Sequence, residues 1–250
     1  MPDWLPAGVG GVEMAILLAT VLVAGIVYGF AGFGAALIYM PVAARIVPID
    51  LAIAAFAVSA LASLVTVVPQ AISDIDRRGT TIMIGTATVG AFVGLYVLKV
   101  TDLIWLRWAV VSVTTLTLLA LISGWRYRTV PTDRSRGAIG LSTGFVGGAT
   151  GLLGPVMVMF QLAGRDGAAR NRATSLVFLT TTSVLLLPLM ALQGILGIAA
   201  IPLGLVMLVP YGVGTWIGRR MFRPEAERLY RGAAYLLIAV AIVIGLPLFD

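Results

Sequence analysis

Hydrophobic stretches close to the length of a membrane crossing follow one another along nearly the whole chain. A hydrocarbon core of about 30 Å takes roughly 20 helical residues to span. Inside it every backbone amide must be paired by the segment itself, so a chain of this kind folds as packed helices. Ten such segments can be read, near 12–30, 33–46, 49–70, 80–98, 103–124, 137–150, 152–164, 172–193, 197–217 and 232–249. Only 11% of residues are charged, against roughly 25% in soluble domains. A soluble protein of this composition would have almost no surface to offer water. The expectation is an all-α polytopic membrane protein whose first partner is the lipid bilayer.

Glycine clusters twice, each time inside a hydrophobic stretch. The first run is Gly25-Ile-Val-Tyr-Gly29-Phe-Ala-Gly32-Phe33-Gly34, and the second is Gly144-Phe-Val-Gly147-Gly148-Ala-Thr-Gly151-Leu-Leu153-Gly154-Pro155. A constant offset of 119 residues, the distance from Gly32 to Gly151, also pairs Gly25 with Gly144, Gly29 with Gly148, Met40 with Met159, Pro69 with Pro188 and Gly85 with Gly204. Interrupted hydrophobic segments at corresponding places in two halves are the sequence mark of a transporter built from repeats, with its binding site at the interruptions. The domain reading follows: a first transmembrane repeat over 1–124, a linker over 125–136 and a second repeat over 137–250, in one membrane domain.

Charge sets the expected topology. If the ten segments alternate sides, one side holds Arg77 and Arg78, Arg126 to Arg136, Arg165 to Arg172 and Arg219 to Arg231. The other side holds only Arg45, Lys99 and Arg107. Merging the short segments into their neighbours splits the charges less cleanly. The positive-inside rule therefore favours ten segments with both termini outside the cytoplasm. Five segments per half is an odd number, so the second half starts from the opposite side and the repeats are inverted. Segments 33–46, 137–150 and 152–164 are short; 14 residues reach only about 21 Å. The uncharged, glycine-rich tips before 33 and 152 favour re-entrant hairpins over paired crossings. The opening Met1-Pro-Asp-Trp-Leu-Pro has no positive n-region, so the first stretch is expected to stay in the mature chain. Trp105, Trp108, Trp125 and Trp216 fall near segment ends, as interfacial aromatics do.

Several chemistries are excluded by residue type. The chain has no cysteine and no histidine, which removes disulfides, haem ligation and soft-metal sites. It also removes a serine–histidine reading of Gly140-Leu-Ser142-Thr-Gly144. No cofactor, no metal and no enzyme activity are expected. The arginines scatter over short loops, which sets a nucleic-acid role aside. Glu13 is the one acidic residue that approaches the membrane, so a cation pump or proton relay lacks its carboxylates. A broken helix, in contrast, offers free amide N–H groups backed by the positive end of its dipole, and that arrangement holds anions. The candidate binding residues are Gly32, Phe33, Gly34, Gly151, Leu153 and Gly154 at the tips. Arg172, Thr174 and Ser175 join them at the start of segment eight, where Thr180-Thr181-Thr182-Ser183 continues the polar run. Hydroxyls here could replace an anion's water shell. Mid-membrane Ser and Thr also commonly bond back to their own helix, and an arginine at such a place can snorkel to the interface.

The motifs Gly29-Phe-Ala-Gly32-Phe-Gly34-Ala-Ala-Leu-Ile-Tyr-Met-Pro41, Gly147-Gly148-Ala-Thr-Gly151-Leu-Leu-Gly154-Pro155-Val and Arg172-Ala173-Thr174-Ser175-Leu176 resemble the TauE/SafE family of sulfite-exporter-like membrane proteins. The likeness spans essentially the full chain. Arg172-Ala173 stands where that family often has alanine and glycine, and Ala35-Ala36 replace a third glycine of the first motif. The resemblance implies transport of sulfite or a small organosulfonate across the bacterial cytoplasmic (inner) membrane, and with the two repeats the leading expectation is a secondary transporter, an exporter, working by alternating access. An importer of a small organic anion or thiosulfate, or an anion channel, would use the same elements. A homo-oligomer is an allowed arrangement that the sequence does not specify.

Overall fold

The computed structural model describes residues 9–123, 132–163, 168–222 and 227–246. Among them the secondary structure is helical throughout. Helix α1 (Gly11–Ala31) ends at Gly32, whose φ of 80° is left-handed and whose N–H donates to the Tyr28 carbonyl at 2.8 Å. Gly34, at φ 93°, then opens α2 (Ala35–Ile46). Helix α3 (Ile49–Ser59) runs on through a 3-10 turn (Ala60–Ala62) into α4 (Ser63–Thr66) and α5 (Val68–Ala71), followed by α6 (Arg77–Val100) and α7 (Leu103–Ile122). Helix α8 (Asp133–Thr150) ends at Gly151, φ 76°, whose N–H donates to the Gly147 carbonyl at 2.7 Å. Then come α9 (Gly154–Ala163), α10 (Ala168–Leu192), α11 (Ala200–Met221) and α12 (Glu227–Gly245). A left-handed residue strains any side chain with a Cβ. Among the described residues only glycines take positive φ, and three of the four, Gly32, Gly34 and Gly151, stand at these two breaks.

Each of the ten expected segments has its helical counterpart. Among the described residues six helical runs are long and apolar enough to cross a membrane: Gly11–Ala31, Ile49–Thr66, Arg77–Val100, Leu103–Ile122, Ala169–Leu192 and Ala200–Met221. Their outward faces carry Val89, Phe92, Val93, Leu116, Leu119, Val209 and Val213, all exposed. An apolar band of that extent suits contact with lipid. Helix α8 starts at Asp133, so helical backbone reaches into the expected linker; residues 124–131, with Trp125, Arg126 and Arg128, lie outside the described residues, as do residues 1–8, 164–167, 223–226 and 247–250.

The core is built around α2 and α3, buried along almost their whole length. Around it the halves interlock. Helix α1 runs parallel to α11: a Cβ on Gly25 would meet the Tyr211 carbonyl, and one on Gly29 would meet Arg219 N and Gly218 Cα. Helix α8 runs parallel to α6 in the same way, with Gly90 against Leu141 and Phe145, and Gly94 against Phe145 and Ala149. Only small residues let two backbones come this close, and without a hydrophobic drive inside lipid such packing holds helices together.

Two details depart from the constant offset. Gly204 packs on Ala55 and Val58, whereas a Cβ on Gly85 would meet no protein atom within 4 Å. The seam glycines that correspond are Gly90 and Gly94 with Gly214 and Gly218, because the connection before α11 is longer than the one before α6. The prolines differ as well. Pro69 sits in the first turn of α5, where the missing N–H costs nothing, and the helix restarts there. Pro188 is carried inside the unbroken α10.

Charged side chains mark one end. Arg78 pairs with Asp133 at 2.7 Å and Arg136 with Asp76 at 2.6 Å, joining the starts of α6 and α8. The Arg170 charge bears on Asp76 too, and Arg219 donates to Gln70 Oε1 at 2.6 Å and the Thr66 carbonyl at 2.7 Å. Arg78, Arg136, Arg170 and Arg219, all assigned by charge counting to the arginine-rich side, thus bear on the segment from Thr66 to the start of α6 and on the start of α8. Arg45 donates instead to the Ile244 carbonyl at the end of α12, and Lys99 to the Gln193 carbonyl just past α10.

Candidate functional site: a cavity between the two helix breaks

The two breaks meet. A Cβ built on Gly154 would stand 4.0 Å from the backbone nitrogen of Gly34, so the first residues of α2 and α9 face one another. Between them lies a cavity of about 40 Å³. A single water needs roughly 10–15 Å³ by the same measure, which leaves room for a guest of a few heavy atoms. The wall is formed by Gly34, Ala35, Ala36 and Leu37 from the first break, and by Gly151, Leu153 and Gly154 from the second. Phe56 and Ala60 come from the α3 run, Leu179, Thr180 and Ser183 from α10, and Tyr28 and Tyr211 from α1 and α11. Several of these correspond under the 119-residue offset: Gly34 with Leu153, Ala35 with Gly154, Ala60 with Leu179. Leu179 to Ser183 lie midway along α10, which places the cavity at the middle depth of the helix bundle.

Its polar side is held by tertiary contacts. The Tyr28 hydroxyl donates to the Leu176 carbonyl at 3.1 Å and shares a hydrogen bond with Thr180 Oγ1 at 2.9 Å. That link ties the glycine-rich end of α1 to α10 across the two halves. Tyr28 stacks on Tyr211, with centroids 6.3 Å apart, and Tyr211 meets Phe56 edge-on at 5.5 Å. Phe56 in turn stacks on Tyr39 at 4.8 Å. This aromatic row fixes one wall with few rotatable bonds.

Of the residues expected from sequence, Gly34, Gly151, Leu153 and Gly154 line the cavity; Gly32, Phe33, Arg172, Thr174 and Ser175 do not. Arg172 does something else. Its Nε donates to the Phe30 carbonyl at 3.0 Å and its terminal nitrogen to the Gly29 carbonyl, and the Phe222 ring lies 4.3 Å from its guanidinium carbon. It caps the last turn of α1 with a positive charge, where the helix leaves carbonyls unpaired and its dipole is negative. Gly32 packs directly on the Arg172 backbone and side chain. At the second break Gly151 packs on Met40 and Ile53, and Ile53 is the offset partner of Arg172. Ser175 is buried, but its partner Phe56 has the length to reach the cavity and a hydroxymethyl does not.

The lining residues with hydroxyls, Tyr28, Thr180, Ser183 and Tyr211, all stand outside the sequence-derived site set. The Thr180–Ser183 run carried a signal in its polarity. Tyr28 lies within the first glycine cluster, and Tyr211 carries no sequence signal beyond its place next to Pro210. The back-bonding expected of membrane hydroxyls occurs on the first-half helix: Ser59 donates to the Phe56 carbonyl at 2.8 Å and Thr66 to the Ala62 carbonyl at 2.9 Å.

The model of the family described as Sulfite exporter TauE/SafE matches residues 17–244. No curated protein and no solved structure matches the chain.

Proposed function

From the premise that this chain belongs to the TauE/SafE sulfite exporter family, a family of membrane transporters of sulfur anions, we propose that it exports sulfite or a small organosulfonate across the bacterial cytoplasmic membrane. The anion sits in the cavity between the starts of α2 and α9. The observation that carries this reading is that one cavity is walled by both glycine breaks, where two helices of ten residues or more present their free amides. A transporter needs no reacting side chain there, and the lining suits binding without chemistry.

The motion is alternating access between two inverted five-segment repeats. Support comes from the parallel pairs α1/α11 and α6/α8, each joining one helix from either half. The contacts of Gly32 with Arg172 and of Gly151 with Ile53 add to it, since they cross the halves at offset-related positions. The arginine-rich end is cytoplasmic and both termini are periplasmic. Thr174 and Ser175 lie one to two turns before the cavity on α10 and serve the anion's path rather than its resting place.

Saturable counterflow of labelled sulfite in proteoliposomes tests the transporter reading. Internal unlabelled sulfite is expected to stimulate uptake; a flux without exchange stimulation would make the protein a channel. For the topology, Ser135→Cys is expected to be labelled by an impermeant maleimide only from the cytoplasmic side, and labelling from outside would reverse it.

A further inference from the structure

The cavity is uncharged and mostly apolar, with a few hydroxyls. Its polar side chains are the hydroxyls of Tyr28, Thr180, Ser183 and Tyr211, and among the described residues no arginine, lysine or carboxylate lines it. Arg172, the cation nearest in sequence to Thr180, is engaged by the carbonyls of Gly29 and Phe30. One of the hydroxyls is unspent. Ser183 is 6% exposed and lines the cavity. Its neighbours in kind, such as Thr86 and Thr114, bond back to their own helices, whereas Ser183 makes no such bond and no other hydrogen bond among the described residues. Its hydroxyl is therefore available to donate to the acceptor oxygens of a guest in the cavity. The other side chains of the lining, among them Leu37, Leu153, Leu179 and Phe56, are apolar.

We propose that this cavity accepts a singly charged oxyanion bearing one uncharged substituent, an alkyl group or a protonated oxygen, and rejects dianions. The inference rests on the cavity being the transport site, as proposed above. The cost of bringing an ion out of water grows with the square of its charge. The return from helix dipoles and neutral hydroxyls grows only in proportion to charge. Without a fixed positive charge in the wall, the second charge of a dianion is not compensated. The uncharged substituent turns toward the leucines and Phe56, while the oxygens meet Ser183 and the amides at the two helix starts. For a sulfur oxyanion this selects bisulfite over sulfite, and an alkylsulfonate over sulfate.

The test uses the full-length protein in proteoliposomes, with methanesulfonate as tracer and methanesulfonate or sulfate as competitor. These share a tetrahedral sulfur and differ by one charged oxygen against one methyl. Methanesulfonate is expected to compete at least about tenfold more strongly than sulfate, a modest selectivity on the affinity scale. With sulfite at fixed total concentration, flux above that of protein-free vesicles is expected to fall as pH rises through the range where bisulfite loses its proton, while methanesulfonate flux stays flat. Ser183→Ala is expected to weaken methanesulfonate competition several-fold, and Ser183→Lys, which adds the missing charge, to shift preference toward sulfate. If sulfate competes as well as methanesulfonate while Gly154→Leu abolishes flux, the charge rule is wrong and the cavity stands as the site. If neither anion moves, or if flux survives Gly154→Leu in a monodisperse protein, both the rule and the site are overturned.

Discussion

The two glycine breaks share a backbone and differ in what holds them. At the first, Arg172 reaches from α10 to the last carbonyls of α1 and Gly32 rests on it. At the second, Gly151 rests on Met40 and Ile53, and an apolar contact takes the arginine's place. The long helices are anchored unequally as well. Helix α1 starts at Gly10 with no side-chain cap, and its polar support comes at its end. Helix α8 starts with a reciprocal Thr132–Ser135 capping box and the Arg136–Asp76 ion pair, and its end is held by hydrocarbon. Both sets of polar contacts fall at the arginine-rich end of the bundle. The two breaks therefore have hydrogen-bonded locks on one face and apolar closures on the other. Under the alternating access proposed above, the two openings would differ in kind: one would break charge-assisted hydrogen bonds, the other would separate a methionine and an isoleucine from a glycine.

The backbone likeness is the easiest part of this comparison to break. Gly32→Leu and Gly151→Leu each put a branched side chain at a left-handed φ and into occupied space. Both are expected to abolish sulfite counterflow in proteoliposomes while protein remains in the membrane. Normal flux in both would mean that the breaks do not form the transport site.

The difference between the breaks is sharpened by one substitution at each of the two offset-related positions. Arg172→Met leaves the buried carbonyls of Gly29 and Phe30 without their donor and removes the cation from the end of α1. The expected loss is about 1–3 kcal/mol. Ile53→Met conserves volume and polarity and is expected to cost less than about 1.5 kcal/mol. Thermal unfolding of the purified variants in detergent compares them directly. Equal losses would show that the arginine lock adds nothing beyond packing.

A smaller effect is expected at the link between α1 and α10. Thr180→Val keeps the shape and removes the partner of the Tyr28 hydroxyl, which still donates to the Leu176 carbonyl. A loss of about 1 kcal/mol is expected, together with weaker anion competition, since the ring of Tyr28 walls the cavity. Unchanged stability and unchanged competition would remove Tyr28–Thr180 from the site.

These contacts mark where the sequence stops being informative. The helix positions were legible because hydrophobic length and glycine spacing are local properties. The breaks were legible because only glycine takes their φ without strain, and the same spacing occurs twice. The cavity's polar face was harder to see. Tyr28 and Thr180 are 152 positions apart, and nothing near either residue encodes that they meet. Arg172 was placed with Thr174 and Ser175 because they are neighbours in sequence. On α10, however, the cavity lies one to two turns further on, and the guanidinium turns toward the α1 carbonyls instead. The split of the α3 run was also hidden. Pro69 and Pro188 occupy matching places, yet only one of the two helices restarts there.

The mildest prediction concerns the polar anchor at the start of α8. The Gly79 N–H and the Arg136 guanidinium both favour the ionised form of Asp76 and hold its carboxyl below the usual carboxylate range. A carboxylate whose pKa is lower in the folded protein than in the unfolded chain stabilises the fold above its unfolded pKa. That stabilisation is lost as pH falls through the folded value. Asp76 is 41% exposed, so solvent screens the effect and it is small. Asp76→Asn is therefore expected to lower the unfolding temperature slightly near neutral pH and to converge with the parent protein in acid. Arg45→Met, at the opposite end, removes a donor to the Ile244 carbonyl rather than to a titrating acid, and its effect is expected to stay constant over the same range. If both variants show the same pH profile, the ion pair at the arginine-rich end does not stabilise the fold through its charge, and the contrast between the two faces rests on Arg172 alone.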